Sequence, residues 1–388
     1  MPIINRIAAL ADEMTAWRQD FHANPELMFD VQRTAGLVEE RLKAFGCDEV
    51  VTGLGRTGVV GVIKGRKTGS GKVIGLRADM DALPIEEESD LPYKSRVSGK
   101  MHACGHDGHT AMLLGAAKYL TETRNFDGTA IVIFQPAEEG GGGARVMCED
   151  GLMTRFGVQE VYGMHNMPGV PVGHFAIRAG GIMAAADQFE VLIEGRGGHG
   201  ANPHLGVDTL LVATQVVNAL QTIVSRNVDP LESAVCSVTA IKAGDAFNVI
   251  PQHARLIGTV RTLKEETRDL LEKRFREIVS GIVATLGATC KIDYRRGYPV
   301  TFNHAEQAAF AAEVARTVAG AAQVNDNVMP QMGAEDFSYM LLERPGAYIF
   351  VGNGDTAGCH HPSYNFDDEA APLGASYWAK LAETAMPA

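Results

Sequence analysis

The pattern that most constrains this chain is a series of short apolar runs, each of strand length, that alternate with stretches of helical spacing and end in acidic residues or histidine. GVVGVIKG near Val59, KVIGLRAD near Ile74, TAIVIFQP near Ile131 and EVYGMHN near Val161 are rich in β-branched residues and lack polar alternation. Strands of that kind are buried on both faces, which in practice means a largely parallel sheet covered by helices. Helical spacing predicts helices over about Ile4–Phe21, stopping before Pro25, over Thr34–Phe45, ending near Gly46, and over His109–Thr121. Asp79 and Asp81, Glu138 and Glu139, and His165 all fall just after the strands, at the carboxyl ends where open α/β sheets build their sites.

A second constraint interrupts the first. The run AGGIMAAA, around Ala179 to Ala186, marks a boundary, and beyond it come a strand (QFEVLIEG), a helix (about Thr209–Ser225), two strands (AVCSVTAIKAG and ARLIGTVRT), a helix and a strand near Cys290. The order β-α-β-β-α-β is the ferredoxin-like arrangement and makes a self-contained unit of about 110 residues. After about Arg296 the α/β character returns, with a helix near Ala305–Val318, the strand AYIFVGN and a terminal helix over about Ala370–Met386. The 388 residues exceed what one core organises. The expected architecture is an α/β domain over 1–181 and 296–388, with a ferredoxin-like α+β domain over 182–295 inserted in it.

Composition excludes several classes of partner. With 35 Lys and Arg against 47 Asp and Glu, the formal charge is −12, and no basic cluster offers a local exception, so nucleic acid and anionic membrane surfaces are not expected partners. Arg6, Asp12 and Glu13 interrupt the N-terminal segment, and no apolar stretch has the length of a membrane span. The expected location is the cytoplasm. There the six scattered cysteines would be thiols. Cys104 stands apart because it lies in MHACGHDGHT among histidines and an aspartate.

A hydrolytic metal site needs several deprotonatable ligands on rigid elements, an open coordination position and a nearby base. In HACGHDGH, Cys104 and His106 are one glycine apart and can reach one cluster from a tight turn; alone, the segment reads equally as a capped helix with surface histidines. Glu138 and Glu139, in PAEEGGGGAR, repel each other unless a cation or proton intervenes. A metal on one leaves the other as general base. The same dipeptide is compatible with a solvated acidic turn. His165 in GMHN, and His360 and His361 in GCHHPSYNFDD, gain meaning from occurring together with these groups. The H-x-E plus P-C-x-x-C signature of a zinc deaminase is absent.

Taken in order, LRADMDALPIEE, MHACGHDGHTAMLLGAA, FQPAEEGGGGARVMCEDG, GMHNMPGVPVG, GRGGHGANPH, AFNVIPQHARLIGTVRT and MGAEDFSYM resemble the M20D branch of the peptidase M20 superfamily, over nearly the whole chain. That branch includes hippurate hydrolases, N-acyl-amino-acid amidohydrolases and plant auxin-conjugate hydrolases. The resemblance implies a metal-dependent α/β catalytic domain with the inserted domain as lid or dimerisation surface. It implies two divalent metal ions (manganese, zinc, nickel or cobalt) held by Cys104, His106, Glu139, His165 and His360, with Glu138 as catalytic base. The family's histidine, any residue, proline pattern selects His360 over His361. The wider superfamily has His-x-Asp where this chain has Asp79-Met80-Asp81, and an aspartate where Cys104 stands, so a soft, oxidisable thiolate replaces an oxygen ligand. Asp81 reads as a residue that orients a ligand, or as a turn cap. His199 matches a histidine that stabilises the oxyanion of the reaction, often in a partner subunit's site; without the resemblance it is a loop histidine. Asn248 and Arg255 match positions near the substrate carboxylate, although Arg255 also reads as a surface strand residue, and Glu335 as a site wall or helix N-terminal acid. The implied activity is hydrolysis of N-acetyl, N-benzoyl or similar aryl-acyl amino acids by a homodimer or higher homo-oligomer, with hinge motion near Gly180–Ile182 and Arg296. The alternatives are a dipeptidase or N-carbamoyl-amino-acid hydrolase on the same scaffold, or a non-catalytic amino-acid-binding protein.

Overall fold

The computed structural model describes residues 3–388. The chain forms two compact units. One ends at Gly180 and resumes over Phe302–Met329 and Asp336–Ala388; the other covers Gly181–Thr301 and Pro330–Glu335. The second unit takes in the Pro330–Glu335 segment because Ala184 donates its N–H to the carbonyls of Gln331 and Gly333, and Met183 bridges Gln331.

In the first unit an 8-stranded sheet runs in the order Glu49–Leu54, Gly58–Lys64, Thr129–Gln135, Val73–Asp79, Glu160–Met167, Gly346–Gly352, Phe175–Ala176, Val324–Asn325. The strands Thr129–Gln135, Val73–Asp79, Glu160–Met167 and Gly346–Gly352 are mutually parallel. The sheet is mixed at its margins rather than parallel throughout. Glu49–Leu54 pairs antiparallel with Gly58–Lys64, and the latter antiparallel with Thr129–Gln135. The first of these reversals is forced by a connection of a few residues, which cannot cross over to a parallel neighbour.

Strand residues Ile74, Leu76, Val132, Phe134, Tyr162 and Ile349 share one core with helix residues Met14, Leu42, Leu113, Leu120, Val314 and Trp378. Fully burying each aliphatic side chain contributes about 1.5–3 kcal/mol. The helices are Ala11–Ala23, Gln32–Phe45, His106–Thr123, Ala305–Ala319 and Ala370–Ala385. A separate short helix, Asn5–Ala8, precedes Ala11–Ala23, where apolar spacing alone predicted one continuous helix. The apolar spacing continues across the joint, so it carries no signal of the break. The His106–Thr123 helix begins three residues before the expected His109, because Gly105, at φ +88°, turns the chain directly into it. Its unbroken apolar run starts only at Ala111, which is why spacing places the start too late.

The second unit has a 4-stranded antiparallel sheet in the order Ala234–Lys242, His253–Thr262, Ala185–Glu194, Thr289–Arg296. This is the ferredoxin-like strand order. Burial alternates along Ala185–Glu194, as expected for a sheet covered on one face. Phe189, Val191, Ile193 and Leu256 pack with Val212, Val216 and Leu220 of the Thr209–Arg226 helix and with Leu271, Phe275 and Val279 of the Glu265–Thr285 helix. Asp208 caps the first of these helices, its carboxylate accepting from the N–H groups of Leu210 and Leu211. Buried Arg268 is paired with Asp187, which also accepts from the Tyr294 hydroxyl at 3.0 Å. Among the described residues no helix is long and apolar enough to cross a membrane.

Candidate metal centre

Three parallel strand ends and one later turn build the site, all within the first unit. Asp79 ends one strand and Asp81 follows it; Gln135 ends the next and leads through Pro136 and Ala137 to Glu138 and Glu139; His165 lies on the third. Arg77 fastens the first two ends together. Its guanidinium donates to Gln135 Oε1 at 2.8 Å, to Asp79 at 2.7 Å and to Asp336 at 3.1 Å. Asp336 in turn accepts from Gln135 Nε2 and from the N–H of Ala144. Beyond Gln135 the chain bends sharply, with Ala137 in the left-handed region at φ +58°, a conformation that costs a non-glycine residue roughly 1–2 kcal/mol. His360 is held the same way, at φ +68°, with its N–H donating to the Ala103 carbonyl at 2.7 Å. Two non-glycine residues strained beside the same cluster point to a geometry kept for function.

These elements bring Cys104, His106, Glu138, Glu139, His165 and His360 into one region. Cys104, His106 and His165 offer donor atoms within 4.8 Å of one another, and so do Cys104, Glu139 and His360, and His106, Glu138 and Glu139. Cys104 Sγ lies 3.4 Å from His165 Nε2, and Glu139 Oε1 lies 3.3 Å from His360 Nε2. Two donors about 2.0–2.3 Å from a shared ion at a tetrahedral angle are about 3.3–3.7 Å apart. Cys104, His106 and Glu139 each belong to two of these three clusters, which ties them into one site. The His361 ring instead accepts from the N–H of Ser363 at 3.0 Å, within its own turn.

The electrostatics favour cations. His106 is fully buried, and neither ring nitrogen has a hydrogen-bond partner; Glu139 Oε1 is likewise buried and faces the His360 ring. Burial alone would lower the His106 pKa, but Asp79, Asp81 and Glu139 outweigh it and raise it to about 10. A proton held this tightly marks a place where positive charge is wanted. Burial works against ionisation of Glu139, yet the hydrogen bond with His360 and the charge of His106 keep its carboxyl below the usual range. Burial, reinforced by His109, lowers the His165 pKa and keeps the ring neutral. Its Nδ1–H donates to the Asn166 carbonyl at 2.6 Å, so the Nε2 lone pair faces Cys104. Contact with the Cys359 thiol, then burial, pushes the Cys104 thiol well above its usual range, while the same contact holds Cys359 at about 6. Among these carboxylates Cys104 keeps its proton until a cation displaces it, which is how thiolate ligation begins. The donor set, three imidazoles, a thiol and a carboxylate, fits two divalent cations.

Asp81 organises the acidic pair. The N–H groups of Glu138 and Glu139 donate to its two oxygens at 2.9 and 3.1 Å, and one oxygen lies 3.6 Å from His106 Nδ1. Several residues with a part in the site carry no strand-end signal in the sequence. His109 donates from Nδ1 to Asp79 at 2.6 Å and accepts at Nε2 from the N–H of Asn166 at 2.9 Å, so it has no lone pair left for a metal, although Asp79, His106 and His109 are clustered. The Asn166 side chain donates to the Cys104 carbonyl at 2.6 Å and accepts from the Tyr364 hydroxyl at 2.8 Å. A Cβ on Gly105 would fall 2.3 Å from both Asn166 Nδ2 and the Tyr364 oxygen. Glycine there is what allows Cys104 and His106 to share one turn.

The remaining predicted residues lie in the second unit. His199 is exposed, pairs with Val249 across a short antiparallel ladder and accepts at Nδ1 from the N–H of Ala201. Asn248 is adjacent, its carbonyl accepting from Gly200 at 2.7 Å. Arg255 is committed to a two-pronged ion pair with Glu190. Glu335 is buried, and its carbonyl accepts from the Thr301 hydroxyl.

Residues 75–384 match the sequence model of Peptidase family M20/M25/M40. Hippurate hydrolase of Campylobacter jejuni is 46% identical over 382 residues, covering 98% of this chain and 99% of that protein. N-acetylcysteine deacetylase of Bacillus subtilis is 39% identical, covering 94% of each. The crystal structure of the Bacillus subtilis YXEP protein, described as a dinuclear metal binding peptidase from the M20 family, superposes with a TM-score of 0.86 at 35% identity, covering 98% of this chain and 99% of that one. With the matched segment holding every donor of the centre, this chain belongs to peptidase family M20/M25/M40.

Proposed function

We propose that this chain is a metal-dependent amidohydrolase that cleaves N-acyl amino acids, with N-acetyl, N-benzoyl or similar aryl-acyl groups, to a carboxylic acid and a free amino acid. The observation that carries the reading is the pair of donor clusters sharing Cys104, one buried and one open to solvent at His360, with a second carboxylate, Glu138, beside them. When bound, two divalent cations polarise the scissile carbonyl and ease ionisation of the attacking water. Cys104, His106, Glu139, His165 and His360 hold them. Glu138 takes the water's proton and passes it to the departing nitrogen. Asp81 fixes the backbone from which both glutamates project, and the Asn166–Tyr364 pair fixes the turn carrying Cys104 and His106. His199 stabilises the developing oxyanion. Asn248 and Arg255 take the substrate carboxylate, a role for which Arg255 must release Glu190. A homodimer is part of the same reading, supported by the exposed apolar side chains of Leu211, Phe247 and Val249 on the second unit. A cytoplasmic location accords with six free cysteines. The metals are drawn from manganese, zinc, nickel and cobalt, ions suited to mixed nitrogen, oxygen and sulfur donors.

The test is primary-amine release from N-acetyl, N-benzoyl and indole-acetyl amino acids, dipeptides and N-carbamoyl amino acids by protein loaded with each metal in turn. Metal-dependent release from an N-acyl class supports the reading. Release confined to dipeptides or carbamoyl compounds replaces the substrate class, and silence across the panel with metals bound contradicts amidohydrolase activity.

A further inference from the structure

Met28 holds a backbone conformation that its own side chain makes costly. Leu27 to Asp30 form a tight turn, closed by the Asp30 N–H donating to the Leu27 carbonyl at 2.9 Å, and Met28 takes its corner at φ +54°. Glycine adopts that conformation without penalty, so nothing in the turn itself calls for a long side chain there. The turn is nonetheless held firmly on both flanks. On one, the Glu26 carbonyl accepts from the Ala82 N–H at 2.8 Å, and Leu27 forms a parallel bridge with Ala82, the residue after Asp81. On the other, the Thr57 hydroxyl donates to the Phe29 carbonyl at 2.9 Å, and the Arg56 guanidinium lies 4.2 Å from the centre of the Phe29 ring. With its neighbours fixed, the Met28 side chain is left exposed and reaches the acidic turn: a Cβ on Gly141 would fall 3.2 Å from the Met28 Cε. Gly141 is two residues beyond Glu139, on the stretch where the turn emerges to solvent, Glu138 being buried, Glu139 partly exposed and Gly140 exposed. Met28 therefore stands between the segment that carries Asp81 and the turn that carries Glu138 and Glu139, on their solvent side.

We propose that Met28 is a specificity-determining residue, the apolar wall against which the acyl group of the substrate packs, and that it selects aryl-acyl over acetyl groups. The assignment rests on the amidohydrolase reading above, which places the scissile amide within hydrogen-bond reach of Glu138. The acidic turn repels a carboxylate, and a thioether gives it no hydrogen-bond donor. The half of the substrate that lies over Met28 is therefore the uncharged acyl half. A Met side chain is flexible and polarisable and makes favourable contacts with aromatic ring edges, and an aryl group covers far more of it than an acetyl methyl does. On this reading the strained corner has a purpose: the turn keeps φ +54° so that a thioether, and not a bare glycine, meets the substrate.

The experiment compares wild type, M28G and M28L, each manganese-loaded, on the N-acetyl, N-benzoyl and indole-acetyl derivatives of one amino acid. It reads kcat and KM separately, with manganese stoichiometry on the same samples. In M28G the aryl-to-acetyl ratio of kcat/KM is expected to fall about tenfold, through KM for the aryl compounds, as loss of the ring contact and its apolar surface requires. In M28L the ratio is expected to stay within about threefold of wild type, because leucine conserves most of the volume. Both variants are expected to hold as much manganese as wild type. An unchanged ratio in M28G, or a wild type that prefers the N-acetyl compound, overturns the proposal. So does loss of manganese from M28G, which would make the residue a support for the acidic turn. Silence of wild type on every compound with manganese bound contradicts the amidohydrolase reading itself, a result distinct from activity whose acyl preference does not depend on Met28.

Discussion

Replacing Asp81 with asparagine tests how the acidic pair is held. The aspartate gives one oxygen to each N–H of Glu138 and Glu139 and sets a negative charge 3.6 Å from His106. Asparagine has one acceptor oxygen, so its amide nitrogen must face a peptide N–H that it cannot satisfy. A hydrogen bond to a charged group contributes about 1.5–3 kcal/mol, and one of the two is lost outright. At 1.4 kcal/mol per tenfold, the displaced Glu139 should weaken metal affinity about 10–100-fold, the usual loss for a group that supports a ligand without touching the ion. Turnover at saturating metal should also fall, because Glu138 is moved by the same loss. The assay is competition for manganese against a chelator, together with kcat at full occupancy and urea unfolding of the metal-free protein. If D81N binds manganese within about twofold of wild type and turns over normally, Asp81 does not position the glutamates in the way the distances imply.

Gly105→Ala should be severe out of proportion to one methyl group: the left-handed φ costs roughly 1–2 kcal/mol, and the added Cβ collides with Asn166 and Tyr364. Metal stoichiometry after dialysis should drop, and full occupancy would contradict the clamp. His22 bonds Asp107 at 2.9 Å and Glu87 at 3.3 Å; burial opposes its protonation, but the two carboxylates outweigh burial and raise its pKa to about 9. Since the folded value lies above the unfolded value of about 6.5, the stabilisation, on the order of 3 kcal/mol, is complete below that pH and lost as pH rises through 9. The gap in unfolding free energy between wild type and H22Q should therefore narrow from pH 6 to pH 10; a gap that widens refutes the assignment. Phe275→Ala should cost about 3–5 kcal/mol in the second unit, since the ring is fully buried 4.4 Å from that of Phe189, and leave manganese binding unchanged.

What could be read from the residues alone divides along physical lines. The strands and their burial were legible because continuous apolar runs and period-2 alternation are local properties, and Asp79, Glu138 and His165 could be assigned to strand ends from those runs. The antiparallel edge of the large sheet and the early start of the helix at His106 were not, since one depends on a short connection and the other on the φ of Gly105. Cys104, His106 and Glu139 stood out through their motifs. Asn166, Tyr364 and His109 did not, because their roles are contacts between segments distant in the chain: Tyr364 reaches Asn166 from 198 positions away. The ion pair of Arg255 with Glu190 is of the same kind, set by strand register rather than by spacing.

The most direct test of the central claim is Glu138→Gln in the manganese-loaded protein, with metal stoichiometry measured on the same sample as amine release from the best N-acyl amino acid. A base that binds no metal predicts two ions still bound, folding intact and turnover lost by at least about 100-fold. Near wild-type turnover with both ions present would remove Glu138 as the proton carrier, and loss of an ion along with turnover would make it a ligand instead.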